Sequence, residues 1–139
     1  MFGPKQNPAS QYAAVIPIFI RKAIDNEPIT VYGDGEQTRD FIYVKDVVSA
    51  NVLAATNPDT TEVFNVASGH TTTIMELARL IISETGSKSR IVHENERPGD
   101  IKHSLASIER TKHVLKVEPR FTLLDGLRRT IEFLRKSRP

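Results

Sequence analysis

Apolar positions recur at helical spacing in three stretches of the chain. Across residues 12–24, Val15, Phe19 and Ile20 fall on one face of a helix, and Pro17 sits in its first turn, where a missing N–H costs little. The ten residues before it, MFGPKQNPAS, are rich in turn formers and read as loop. A second stripe, Ile74, Leu77, Ala78 and Ile81, is introduced by Thr73-Ile74-Met75-Glu76 and stopped by Gly86. The Thr and Glu of that opening can satisfy each other's backbone donors, and a glycine suits a helix end. The third helix covers residues 122–135 and opens on a similar signal, Thr122-Leu123-Leu124-Asp125. Weaker patterns predict a helix opened by Asp46 over 46–55, stopped near Asn57-Pro58, and another over 107–115. Short β-prone runs lie at 29–32, 41–44, 62–66 and 90–93, the first ended by the turn Gly33-Asp34-Gly35. Residues 94–100 are polar, broken by Pro98-Gly99, and read as an exposed loop. Strands alternating with helices predict an α/β (or α+β) fold over a single domain, residues 1–139.

Composition removes several function classes. A chain of 139 residues with 39% hydrophobic and 26% charged content is an ordinary globular domain with a modest core. Its longest apolar run, residues 13–20, contains Pro17 and is far shorter than the roughly 20 residues a bilayer-crossing helix needs. No basic stretch precedes it as in a secretory signal, so a cytoplasmic protein without membrane contact is expected. There are no cysteines, which excludes disulfides and thiolate metal sites. His70, His93, His103 and His113 lack the spacing of a zinc motif, so no metal site is expected. The net charge is +2, and Arg128, Arg129, Arg135, Lys136 and Arg138 gather at the end of the chain. Cations there suit the C-terminal dipole of a helix, whereas a nucleic-acid surface would interleave them with stacking aromatics.

Five stretches carry a more specific signal: FGPKQ at 2–6, VYGDGEQTRDFIYVKDVV at 31–48, VFNVASG at 63–69, RPGD at 97–100 and LLDGLRRTIEF at 123–133. In order and spacing they resemble the extended short-chain dehydrogenase/reductase family, the NAD-dependent nucleotide-sugar epimerases and dehydratases. Within it, the RPGD motif is most similar to the 4-epimerases of UDP-glucose and UDP-N-acetylglucosamine. The resemblance covers essentially the whole chain and implies the C-terminal, nucleotide-sugar-binding domain of such an enzyme, with the Rossmann domain absent.

Family members hold NAD on a Gly-rich turn at a helix N-terminus. Here the only GxG is Gly33-Asp34-Gly35, and Thr38 stands where a third glycine would fall. The family's catalytic pair is Tyr-x-x-x-Lys, but Ile16, Glu36 and Val47 stand four residues after Tyr12, Tyr32 and Tyr43. The resemblance therefore implies no catalytic residue and no cofactor bound by this chain alone. Met1 occupies a position where the family usually carries valine, which implies a truncated gene product, a cloned fragment, or a segment whose partner half lies elsewhere.

The same resemblance implies a UDP-sugar as ligand. Arg39 and Arg97 match phosphate-binding positions, where the arginine fork donates parallel hydrogen bonds to a diphosphate. Asp100, past the Pro-Gly turn, matches the acceptor for ribose hydroxyls, and Thr30 and Tyr32 match the strand along which the base lies. Blander readings stand beside these. Arg39 with Asp40, or Arg97 with Asp100, would make a surface ion pair. Tyr43 reads as core, Gln37 and Thr38 as turn residues, and His70, His93 and His103 as loop histidines. Three functions remain open: the substrate-binding part of a 4-epimerase, the same part of a dehydratase or UDP-glucuronate decarboxylase, or a stand-alone nucleotide-binding or self-associating module. In the last, a strand at 63–66 would offer an open edge to a second copy, giving a homo-oligomer in place of a missing Rossmann half.

Overall fold

The first apolar run folds as a helix over Val15–Ile24 (α1), burying Ile16, Phe19, Ile20 and Ala23 along one face. Pro17 lies in its first turn, as its missing donor requires. The computed structural model describes residues 1–6, 15–57 and 62–137. The start of the first run at 12–14, the stop at Pro58 and the terminal Arg138 lie outside those residues. In chain order α1 is followed by strand Ile29–Tyr32 (β1), strand Thr38–Asp40 (β2), helix Val44–Thr56 (α2) and strand Thr71–Thr73 (β3). Then come helix Ile74–Thr85 (α3), strand Ile91–Glu94 (β4), a π-helical turn Thr111–Leu115 and helix Leu123–Lys136 (α4).

The α/β fold is built as two small sheets against a layer of helices. β1 and β4 are parallel, with Ile29 opposite Ile91 and Tyr32 opposite Glu94. β2 and β3 are antiparallel, with Arg39 opposite Thr72. Alternation divides β1: Ile29 and Val31 are fully buried, while Thr30 and Tyr32 face the other side. The buried side meets α1, α3 and α4, whose apolar stripes (Ile74, Leu77, Ala78 and Ile81 on α3; Leu127, Ile131 and Leu134 on α4) complete one core.

Both expected capping boxes form. The Thr73 hydroxyl accepts from the Glu76 N–H while Glu76 accepts from the Thr73 N–H, and Thr122 and Asp125 repeat the exchange. The Thr122 hydrogen bonds, side-chain first, hold the Asp125 carboxyl below the usual carboxylate range. Gly86 ends α3 in the left-handed conformation. Across the helix pair, Arg128 Nε donates to Glu84 Oε2 at 2.7 Å, and this bond depresses the Glu84 carboxyl.

Packing is close where α4 crosses the chain's first residues. A Cβ on Gly126 would lie 2.6 Å from Phe2 Cζ and 2.9 Å from Tyr43 Cδ2. Tyr43, read as core, is 2% exposed and packed edge-on against Phe2 with ring centroids 5.8 Å apart. Gly126→Ala is expected to destabilise the chain by about 1–3 kcal/mol, because both obstructing rings are locked in place. A denaturant midpoint equal to that of the unaltered chain would contradict this packing.

Several expectations need correction. The strand expected at 41–44 is displaced to Thr38–Asp40. Residues 41–43 are extended, but they hydrogen-bond the backbone of Phe2 (Phe2 N to Ile42 O, 2.9 Å; Val44 N to Phe2 O, 2.8 Å). The polar 38–40 segment is instead held on both sides, by β3 and by residues 102–104. No strand forms at 62–66: the Asn65 carbonyl accepts from the Thr111 hydroxyl at 2.5 Å, and Val63 is exposed. The open edge expected there does not exist. The helix expected at 107–115 forms over 109–115, its last five residues as the π-helical turn, and is ended by Lys116 at φ 54°. α2 begins at Val44, so Asp46 lies within its first turn. The strand expected at 90–93 runs one residue later, and β3 is an element that periodicity did not disclose.

Candidate functional site

A loop between β4 and residue 102 carries Arg97, Pro98, Gly99 and Asp100. Its two ends are pinned to the two strands that bear the other predicted site residues. At one end β4 pairs with β1, and Gly33 N donates to Glu94 O at 2.8 Å. At the other, Thr38 N donates to Lys102 O at 2.8 Å and Ser104 N to Thr38 O at 3.2 Å, so residues 102–104 run beside β2. Within the loop the Asp100 N–H returns to the Arg97 carbonyl at 3.1 Å. Pro98 and Gly99 are the two central residues of that turn, and Gly99 takes φ 80°, which a side chain at this position of a type II turn resists.

This arrangement brings all five predicted residues to one cleft of about 630 Å³. Thr30 and Tyr32 come from β1, Arg39 from β2, and Arg97 and Asp100 from the loop. α1 supplies the apolar side of the cleft with Ile18 and Phe19. Arg39 Nη2 donates to Asp100 Oδ1 at 2.6 Å, and its Nη1 donates to the Thr38 carbonyl at 2.9 Å. The Arg97 guanidinium lies over the Tyr32 ring, 3.8 Å from its centroid. Neither ion pair anticipated from neighbouring residues forms. Arg39 engages Asp100, 61 positions away, and Arg97 stacks on tyrosine. A second hollow of about 500 Å³ shares Tyr32, Gln37 and residues 97–100, so the loop is a thin wall between the two.

Three side chains at the cleft carry more than their sequence context disclosed. Lys22, on the half-buried flank of α1, lines the cleft and donates to Thr30 Oγ1 at 3.3 Å. Gln37 Nε2 donates to the Tyr32 carbonyl at 2.9 Å, bracing the turn that joins β1 to β2. Asp40, adjacent to Arg39, accepts from Ser68 N (2.7 Å) and Gly69 N (2.8 Å) and so fastens β2 to the loop before β3. The short connection from α1 to β1 signals that Lys22 lies beside Thr30; nothing local marks Asp40 as an anchor. His103 Nδ1 lies 3.0 Å from Thr38 Oγ1 and His93 Nδ1 lies 2.7 Å from the Gly33 carbonyl, both at exposed positions.

The geometry suits an elongated polyanion with a flat end group. The cleft offers Lys22, Arg39 and Arg97 as cations, a carboxylate able to accept from hydroxyls, and an aromatic face. Gly33 and Gly35 join β1 to β2, and the first turn of α3 abuts them, with the Met75 N–H donating to the Gly35 carbonyl at 3.0 Å. Among the described residues there is no cluster of metal-ligating side chains, and no helix is long and apolar enough to cross a membrane.

The chain is similar to known proteins along nearly its whole length. The sequence profile of the NAD dependent epimerase/dehydratase family matches residues 1–67. A putative UDP-glucose 4-epimerase of Methanocaldococcus jannaschii is 31% identical over 137 residues, covering 99% of this chain and 44% of that protein. The crystal structure of UDP-glucose 4-epimerase from Thermotoga maritima with UDP-glucose superposes with a TM-score of 0.93 at 38% identity, over 98% of this chain and 43% of that one. UDP-N-acetylglucosamine 4-epimerase from Methanobrevibacter ruminantium, in complex with UDP-N-acetylmuramic acid, gives 0.92 at 42% identity, over 99% and 44%. The chain thus spans less than half the length of the curated relatives it matches.

Proposed function

Because this chain belongs to the NAD dependent epimerase/dehydratase family, we propose that it is the nucleotide-sugar-binding part of a 4-epimerase, gripping a UDP-sugar and leaving hydride and proton transfer to a second, NAD-binding domain. The observation that carries this reading is the convergence of Thr30, Tyr32, Arg39, Arg97 and Asp100, from three separate segments, on one cleft. In this reading Arg39 and Arg97 hold the diphosphate, Asp100 accepts from the ribose hydroxyls, and the base lies along Thr30 and Tyr32. The assignment divides the labour of a bound sugar nucleotide: binding energy at the nucleotide end orients a sugar whose chemistry occurs elsewhere.

The surface of α2 supports the second domain. Val48, Val52 and Leu53 are 53%, 56% and 43% exposed along this helix, an apolar area suited to packing against another globular unit. With no strand at 62–66, self-association through a sheet edge has lost its support, and a heterologous or covalently linked second domain is the partner proposed.

Calorimetric titration with UDP checks the binding half of the proposal. A saturable isotherm is expected, together with no interconversion of UDP-glucose and UDP-galactose when NAD is supplied. An absence of heat at millimolar UDP rejects the binding role, and measurable turnover rejects the non-catalytic one.

A further inference from the structure

The geometry points to the Arg39–Asp100 ion pair as a specificity filter: it penalises bare phosphate or pyrophosphate and favours a diphosphate to which a vicinal diol is attached. The inference rests on the nucleotide reading for what fills the cleft, but the filter itself is built from this chain's own contacts.

Both terminal nitrogens of the Arg39 guanidinium are engaged. One arm donates to Asp100 Oδ1 at 2.6 Å and the other to the Thr38 carbonyl at 2.9 Å, with Lys102 O at 3.5 Å. The pair is only partly open to water, with Arg39 at 24% and Asp100 at 39% side-chain exposure. An incoming phosphate therefore competes with a carboxylate for Arg39 and must approach that carboxylate's negative charge. Bare phosphate or pyrophosphate brings a second negative charge up to the displaced Asp100 and, being mostly acceptor oxygens, offers it few donors in exchange. A ligand that couples its diphosphate to two adjacent hydroxyls supplies both halves at once: an anion for Arg39 and donors for Asp100. Such a ligand opens the pair while giving Asp100 two donors in place of the guanidinium.

The same turn carries the second arginine. Arg97 and Asp100 are the first and last residues of one hydrogen-bonded turn, with the Asp100 N–H on the Arg97 carbonyl at 3.1 Å. Arg97 rests on the Tyr32 ring at 3.8 Å, over the face a flat base would use. The second arginine and the diol acceptor therefore sit on one short turn, within reach of the same ligand.

Asp100→Asn separates this idea from a simple ribose-contact role. The variant keeps shape and hydrogen-bonding capacity but removes the competing charge. Inorganic pyrophosphate and UDP are titrated into the unaltered chain, Asp100→Asn, and Arg39→Ala/Asp100→Asn, each checked for a dispersed amide spectrum. The filter predicts that pyrophosphate binds Asp100→Asn about three- to tenfold more tightly than it binds the unaltered chain. UDP should not gain in step, and the pyrophosphate gain should vanish in the double variant. Pyrophosphate affinity that is unchanged or weaker in Asp100→Asn, or undetectable in both, overturns the filter. If UDP fails to bind the unaltered chain while the pyrophosphate gain appears, the penalty that Asp100 sets on bare anions stands, and the nucleotide reading falls together with the diol half of the filter.

Discussion

Arg39→Ala is expected to weaken UDP binding by about 30- to 150-fold, taking about 2–3 kcal/mol for a charge-assisted hydrogen bond and tenfold per 1.4 kcal/mol. The loss exceeds that of a missing donor, because Asp100 would remain at the phosphate position with its negative charge uncompensated. Arg39→Lys should fall between: the charge stays, but an ammonium cannot offer two fixed arms, one to the Thr38 carbonyl and one to the ligand. Folding should be little disturbed, since Arg39 is half-buried on a three-residue strand that keeps its backbone pairing with β3. Calorimetry on variants with matched thermal melts checks the effect, and Arg39→Ala binding UDP within threefold of the unaltered chain would remove Arg39 from the site.

The second large effect concerns stability. Asp46 is 2% exposed, and its carboxylate accepts from the backbone N–H groups of Arg120 (2.9 Å) and Phe121 (3.3 Å). It joins the first turn of α2 to the segment that leads into α4, 74 and 75 positions along the chain. Phe121 in turn packs on Tyr43, with ring centroids 4.9 Å apart. Removing the carboxylate leaves two backbone donors without their acceptor, and hydrogen bonds to a charged group contribute about 1.5–3 kcal/mol each. Asp46→Ala is therefore expected to cost about 3–5 kcal/mol, much of the 5–15 kcal/mol by which a domain is ordinarily stable. Asp46→Asn, which retains one carbonyl acceptor, should cost less. Urea unfolding checks both, and an Asp46→Ala midpoint within experimental scatter of the unaltered chain would show the contact to be idle.

These two residues mark where the sequence was readable and where it was not. The caps at Thr73 and Thr122, the Gly86 stop and the stripes of α3 and α4 are local signals, set by neighbours within a turn or two, and they were legible. β1 was legible for the same reason, because four β-prone residues end in a Gly-rich turn. β2 was not. Thr38, Arg39 and Asp40 have no alternation to betray a strand, and they pair only because residues 71–73 and 102–104 arrive from far along the chain. The same blindness turned 41–44 and 62–66 into strands. Their apolar side chains fit a sheet, but the hydrogen-bond partners on offer are Phe2 and Thr111.

The candidate site divides likewise. The family resemblance singled out Arg39, Arg97, Asp100, Thr30 and Tyr32, and the fold gathers them at one cleft. Which of them touch was not foreseeable from spacing. Proximity in sequence suggested Arg39 with Asp40 and Arg97 with Asp100, whereas Asp40 anchors the Ser68-Gly69 amides and Asp100 crosses to Arg39. Asp46 was read as the residue that opens α2, because an acidic residue near a helix start is a common local device; its long-range backbone partners carry no sequence mark.

The most direct test of the account is a two-dimensional amide spectrum of this chain titrated with UDP, with Arg97→Ala as control. The account predicts dispersed peaks, with saturable shifts concentrated on Thr30, Tyr32, Arg39 and residues 97–100, and their loss in Arg97→Ala. Dispersed peaks that ignore UDP, or shifts that persist undiminished in Arg97→Ala, would contradict it.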